Sequence, residues 1–236
     1  MTHFISLTGL LRRLSVGLGI LVIVTGCLFE THRTPAKILF IGNSITLANS
    51  TPAFGWTHSW GMAATALDKD YVHLTLETLA ERGLPLEWHL LSRNCNVCDG
   101  VIGEYMENIY DVGELHPEYV VVQLGENSNE AEALGGKLTA QYRQLLESLL
   151  GFGIRQIYCI SNWAEGSLEA PHNAAIVRAM NGLPNLTLVD ITAIAAKPSA
   201  NADTTIYLDR AVRWHPGDQG MAYIAKALSD SILNNR

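Results

Sequence analysis

Five apolar runs alternate with helix-patterned segments along this chain, and that alternation is its tightest structural constraint. The runs are Lys37–Ile41, Leu86–Leu91, Tyr119–Leu124, Gln156–Ile160 and Leu186–Ile191. They are close to apolar throughout rather than on alternate residues, so a sheet built from them must be covered on both faces. Helix patterns fill the intervals at Tyr71–Arg82, Lys137–Leu150, Ala174–Met180 and from Pro216 to about Leu233. In the second, Leu138, Tyr142, Leu145, Leu146 and Leu149 form one stripe; in the last, Met221, Ile224, Ala225, Leu228 and Ile232 do so. Buried strands alternating with such helices predict a parallel sheet inside a single three-layer α/β/α domain. With 236 residues, 48% of them hydrophobic, the chain can fill one core of that kind.

The N-terminus reads as a targeting segment outside this fold. Arg12-Arg13 precede an apolar stretch, Leu14 to Val24, that ends in Val24-Thr25-Gly26-Cys27. A charged start, a short apolar centre and small residues before a cut are the layout of a secretory signal. The stretch is short for a spanning helix. Its last four residues resemble a bacterial lipobox, which implies removal of 1–26 and lipidation of Cys27. Leu28 rather than aspartate follows the cysteine, which by resemblance to Gram-negative sorting favours the outer membrane. Residues 27–36 then form the lipidated cysteine and a short linker, and 37–236 the domain. The eight residues Phe29–Ala36 reach at most roughly 28 Å, which would hold the domain near its membrane.

Formal charge is −7, and a chain cut before Cys27 loses two arginines and no acids, to stand at −9. An acidic surface argues against nucleic acid as a partner and against a basic membrane-binding face. Cys95-Asn96-Val97-Cys98 is spaced for a disulfide in an oxidising compartment. No second Cys or His pair has zinc-ligand spacing, so no metal site is expected. Cys159 falls in a strand pattern and reads as a core thiol.

Three polar clusters follow three of the apolar runs. Gly42-Asn43-Ser44 follows the first, Gly125-Glu126-Asn127 the third, and Trp214-His215-Pro216-Gly217-Asp218 opens the terminal helix after a long loop. In a parallel sheet all three lie along the carboxyl edge of the strands, where ligands bind in open α/β sheets. The residue types suit nucleophilic catalysis. A serine hydroxyl attacks once a base takes its proton, histidine is that base near neutral pH, and amide N–H groups stabilise the oxyanion that forms.

These three blocks, in this order, resemble the SGNH (GDSL-type) hydrolase superfamily, and the resemblance spans nearly all of residues 37–236. It implies a parallel, about five-stranded flavodoxin-like sheet, no cofactor, and a serine esterase or acylhydrolase activity. It maps the nucleophile to Ser44, the base to His215, and the oxyanion donors to the backbone of Ser44, the Asn127 amide and a backbone N–H of Gly100, with Asp99 an alternative to Gly100. Two positions depart from the pattern. Asparagine stands at 43 in place of the usual aspartate, and Val212 stands three residues before His215, where the family places its triad acid. Asp209 is the replacement acid expected here. Asp218 and a Ser–His dyad oriented by a backbone carbonyl are the alternatives.

Trp56, Trp60 and Trp163 are candidates either for lining an acyl or sugar pocket or for core packing, and the remaining histidines have no partner pattern. The expectation is therefore a lipid-anchored ester hydrolase of the bacterial envelope, on the periplasmic side of the outer membrane, acting on short acyl esters of glycans or lipids. An O-acyltransferase on envelope glycan and a non-catalytic glycan-binding lipoprotein are the rivals.

Overall fold

A computed structural model describes residues 35–92, 101–106 and 109–235. The signal segment 1–26, Cys27, the Cys95/Cys98 pair, Asp99 and Gly100 lie outside the described residues.

Five parallel strands form one sheet: β1 (Lys37–Gly42), β2 (Glu87–Ser92), β3 (Tyr119–Gln123), β4 (Gln156–Ile160) and β5 (Leu186–Val189). They lie in the order β2-β1-β3-β4-β5, every neighbouring pair parallel. This is the flavodoxin-like order, whose direction of winding reverses between β1 and β3. β1 and β3 are buried on both faces because side chains alternate into two separate cores. Leu39, Ile41, Val120 and Val122 pack with α5 (Lys137–Gly151) and α6 (Pro171–Met180). Ile38, Phe40, Val121 and Tyr158 pack with α1 (Tyr71–Glu81) and the terminal α9 (Asp218–Asn234). The domain is thus the three-layer α/β/α sandwich expected.

The stripe Leu138, Tyr142, Leu145, Leu146 and Leu149 is buried without exception, and the α5 and α9 patterns land within two residues of their expected bounds. α6 begins three residues before its apolar pattern, with Pro171 in the first turn, where its missing N–H has no partner to lose. The short helices α2 (Val101–Met106), α3 (Ile109–Leu115), α4 (Glu130–Leu134), α7 (Thr192–Ala195) and α8 (Arg210–Arg213) were not expected. Only one or two turns long, they are too brief to show a hydrophobic period.

Candidate functional site

β1 ends in a turn that only glycine permits. A Cβ on Gly42 would lie 1.8 Å from Thr46 Oγ1 and 3.2 Å from the Gln123 carbonyl. The turn closes through Thr46 and Leu47, whose N–H groups both donate to the Asn43 carbonyl at 2.9 Å. It lifts Ser44 past the strand's carboxyl end, leaving it half-buried. The Ser44 carbonyl accepts from Met62 N at 2.8 Å, which fixes the residue against the following loop.

His215 reaches this serine from 171 residues away, with Nε2 at 2.7 Å from Ser44 Oγ. Its backbone is held on both sides: its N–H donates to the Val212 carbonyl at 3.1 Å and its carbonyl accepts from Ala202 N at 2.9 Å. The residue is 3% exposed. Nδ1 lies 3.2 Å from the same Val212 carbonyl. A carbonyl can only accept, so Nδ1 carries the proton and Nε2 presents its lone pair to the serine hydroxyl. Burial pushes the imidazole down to about 4, against a smaller upward pull from the Val212 and Ala211 backbone. The ring is therefore neutral at neutral pH and able to take a proton. Trp214 packs over it with ring centroids 4.1 Å apart and planes tilted by 33°.

The expected acid does not meet the histidine. The Asp209 carboxylate accepts from Ala211 N at 2.7 Å and caps α8. Asp218, the alternative, is taken up by Thr65 N at 2.8 Å, Thr65 Oγ1 at 2.7 Å and Lys69 Nζ at 2.9 Å. The position that carries the acid in the resembling family supplies a backbone carbonyl instead. The reason is local packing: the Val212 side chain is fully buried in an apolar cluster with Trp56, Met62 and Tyr207. Among the described residues, no carboxylate reaches the His215 ring.

Beyond β3, the chain bends through Gly125 at φ 132°, a conformation that side chains disfavour, and this bend delivers Glu126 and Asn127 to the same edge. Asn127 is half-buried, and its amide makes no hydrogen bond among the described residues. Glu126 is the site residue that sequence reasoning missed. Its Oε1 accepts from Gln123 Nε2 at 2.7 Å and Trp163 N at 3.3 Å, and its Oε2 accepts from Asn43 Nδ2 at 3.2 Å. Burial holds this carboxyl above the ordinary glutamate value, and the surrounding N–H donors offset only part of that rise.

The tryptophans divide. Trp56 and Trp163 are buried and serve packing; Trp163 Nε1 donates to the Trp214 carbonyl at 2.9 Å. Trp60 is half-buried and stacks on His58 at 4.2 Å. Among the described residues, no three His, Cys, Asp or Glu side chains are gathered to hold a metal ion.

No protein-family model matches the chain. No curated protein matches it by sequence. Solved structures do match by fold. A lipase from a goat rumen metagenome superposes with a TM-score of 0.57 at 10% identity, covering 83% of this chain and 97% of its own. A carbohydrate esterase family 3 protein from Talaromyces cellulolyticus gives 0.55 at 16% identity, covering 84% and 97%. A lipase/acylhydrolase from Enterococcus faecalis gives 0.54 at 16% identity, covering 84% and 96%. The chain shares the α/β/α fold of these solved lipases and esterases. On that fold, Ser44 and Asn127 follow β1 and β3, the two strands at which the winding reverses, and His215 joins them from the loop before α9. A serine hydroxyl bonded to a neutral, oriented imidazole can pass its proton to that ring as the oxygen attacks an electrophile.

Proposed function

We propose that this chain is a serine ester hydrolase with a Ser44–His215 dyad. The observation that carries the reading is the 2.7 Å contact between Ser44 Oγ and a His215 Nε2 whose tautomer the Val212 carbonyl sets. As Ser44 Oγ bonds to the ester carbonyl carbon, its proton moves to Nε2. The carbonyl oxygen becomes an oxyanion and meets the Ser44 N–H and the Asn127 amide, with Gly100 the proposed third donor. Collapse breaks the bond to the alcohol, which leaves with the Nε2 proton. Water then attacks the acyl-enzyme, gives a proton to Nε2, and releases the acid as Ser44 regains its hydrogen. The imidazolium formed twice in this cycle faces a carbonyl dipole rather than a carboxylate. An enzyme retains part of its rate enhancement in that state.

Short acyl esters, foremost O-acetyl groups on glycans, are the proposed substrates. The proposed place of action is the cell envelope, with the chain anchored by a lipid on Cys27. Hydrolysis of p-nitrophenyl acetate and butyrate tests the chemistry. Ser44→Ala is expected to lower turnover by about 10⁴-fold or more. A Ser44→Ala protein as active as the wild type overturns the reading.

A further inference from the structure

We infer that Glu126 is a positioning residue for the Ser44–His215 site: its carboxylate fixes the Asn43 side chain and thereby the turn that carries Ser44. Asparagine stands at 43 because a carboxylate already stands at 126. The inference rests on the serine-hydrolase reading of that site.

The Glu126 carboxylate collects donors from the ends of three adjacent strands. Asn43 follows β1, Gln123 ends β3 and Trp163 follows β4. Asn43 itself has only one satisfactory orientation. Its Oδ1 accepts from Ile45 N at 3.3 Å, across the serine, while its Nδ2 donates to Glu126. Gln123 is oriented in the same way, since its Nε2 donates to Glu126 and its Oε1 accepts from Thr46 Oγ1 at 3.2 Å. Thr46 Oγ1 also bonds the Tyr71 hydroxyl at 2.8 Å. Residues 43 and 46 thus bracket Ser44, and both are tied to the one Glu126–Gln123 unit. Asn43, Thr46 and Gln123 are all buried, so no water replaces a lost partner cheaply.

Donor and acceptor polarity explains the departure at position 43. Aspartate there would still accept from Ile45 N but would set a carboxylate against the Glu126 carboxylate. Among the described residues, Glu126 has no basic side chain as partner, and N–H donors alone answer its charge. The titratable groups that feel it are Tyr71 and Tyr142, both raised by burial and both neutral across the working range.

The polarity argument makes a reciprocal exchange the decisive test. In Glu126→Gln the new amide faces the Asn43 amide, donor to donor. In Asn43→Asp acceptor faces acceptor. In the double variant the new carboxylate at position 43 accepts both from Ile45 N and from the new amide at position 126, and every bond is restored. Each single variant is expected to lower kcat for p-nitrophenyl acetate by about 100-fold with KM little changed, as a displaced nucleophile does. The double variant is expected to return to within about tenfold of wild type. Asn43→Asp is also expected to gain rate as pH falls, because one proton shared by facing carboxylates relieves their repulsion. The wild type has no such limb. Melting of all four proteins accompanies the kinetics; should one single variant fail to fold, recovered folding in the pair is the same expected coupling.

Single variants within about threefold of wild type, or a double variant whose loss is the product of the two, overturn the inference. Wild type that labels with a fluorophosphonate at Ser44 beside such additive variants fails the inference alone. Wild type that neither labels nor hydrolyses fails the hydrolase reading, and the positioning role falls with it.

Discussion

His73 and His215 show the same side chain in opposite states within one domain. His73 lies at the start of α1 with Nδ1 2.8 Å from the Asp70 carboxylate, a bond that raises its pKa. His215 is buried with a carbonyl at Nδ1 and is pushed down to about 4. The chain therefore does build a histidine–aspartate pair, but at a helix cap rather than beside the serine. A carboxylate favours imidazolium through full charge attraction. A carbonyl dipole favours it weakly and loses to desolvation. What the site receives from Val212 is orientation and tautomer, with the ring left neutral. The proton-accepting form is then fully populated at neutral pH, while the imidazolium of the transition state is less stabilised than in a triad.

Installing the missing acid is the largest perturbation of that contrast. Val212→Asp places a carboxyl in the apolar cluster with Trp56 and Met62, because only the backbone of residue 212 faces the ring. We expect a stability loss of roughly 3 kcal/mol or more by urea denaturation, with no gain in kcat. A gain would show that the loop can turn the side chain toward His215.

The pH profile sharpens the comparison next. The base must be neutral, so the His215 limb of kcat/KM should lie at about 4, and any loss of rate above that limb as pH falls should come from protonation of the raised Glu126 carboxyl and be absent in Glu126→Gln. Below about 4, kcat/KM should fall about tenfold per pH unit. An inflection at about 6.5, the ordinary value for histidine, that persists in Glu126→Gln would show that His215 is not held as a desolvated neutral ring.

Asp209→Ala should remove the α8 cap, at about 1 kcal/mol in stability, and leave kcat within about threefold. A drop of about three orders of magnitude would restore Asp209 to the site. For Asp70→Asn the readout is His73: asparagine keeps one cap acceptor but sets its amide N–H against the Gly61 N–H that the buried Asp70 Oδ2 accepts at 3.3 Å. NMR titration of His73 should then show its pKa moving down. The pair's contribution to stability is present in full below the unfolded histidine pKa and fades as pH rises through the raised folded value. The variant should lose that contribution at acid pH, on top of a pH-independent loss from the Gly61 N–H left without its acceptor.

The strands and their carboxyl-edge clusters were legible because apolar runs and glycine turns are local signals. Ser44 and His215 came from such signals combined with the order of the blocks. The partner of His215 did not. Every residue has a carbonyl, so nothing in the sequence marks Val212 as the one that faces the ring. Asp209, an acid six residues before the histidine, read as catalytic when its signature was that of an N-cap before a short helix. The Asn129/Glu132 spacing at the start of α4 was likewise a readable capping box. Glu126 carried one weak signal: a carboxylate stands in the third block of a chain whose first block lacks its usual one. Its meaning needed the two blocks side by side, and 83 residues separate Asn43 from Glu126.

The sequence by itself determined the layers, the parallel sheet and the edge at which the polar blocks gather, since burial and helical periodicity are set by residue type and short-range spacing. Tertiary structure alone decided which groups touch. It gave His215 a carbonyl instead of a carboxylate, turned Asp209 to a local helix cap and Asp218 to the distant Thr65 and Lys69, and joined Asn43 to Glu126. Those outcomes depend on where loops far apart in the chain come to rest, and hydrogen bonds of about 3 Å discriminate among positions that the sequence pattern leaves equivalent.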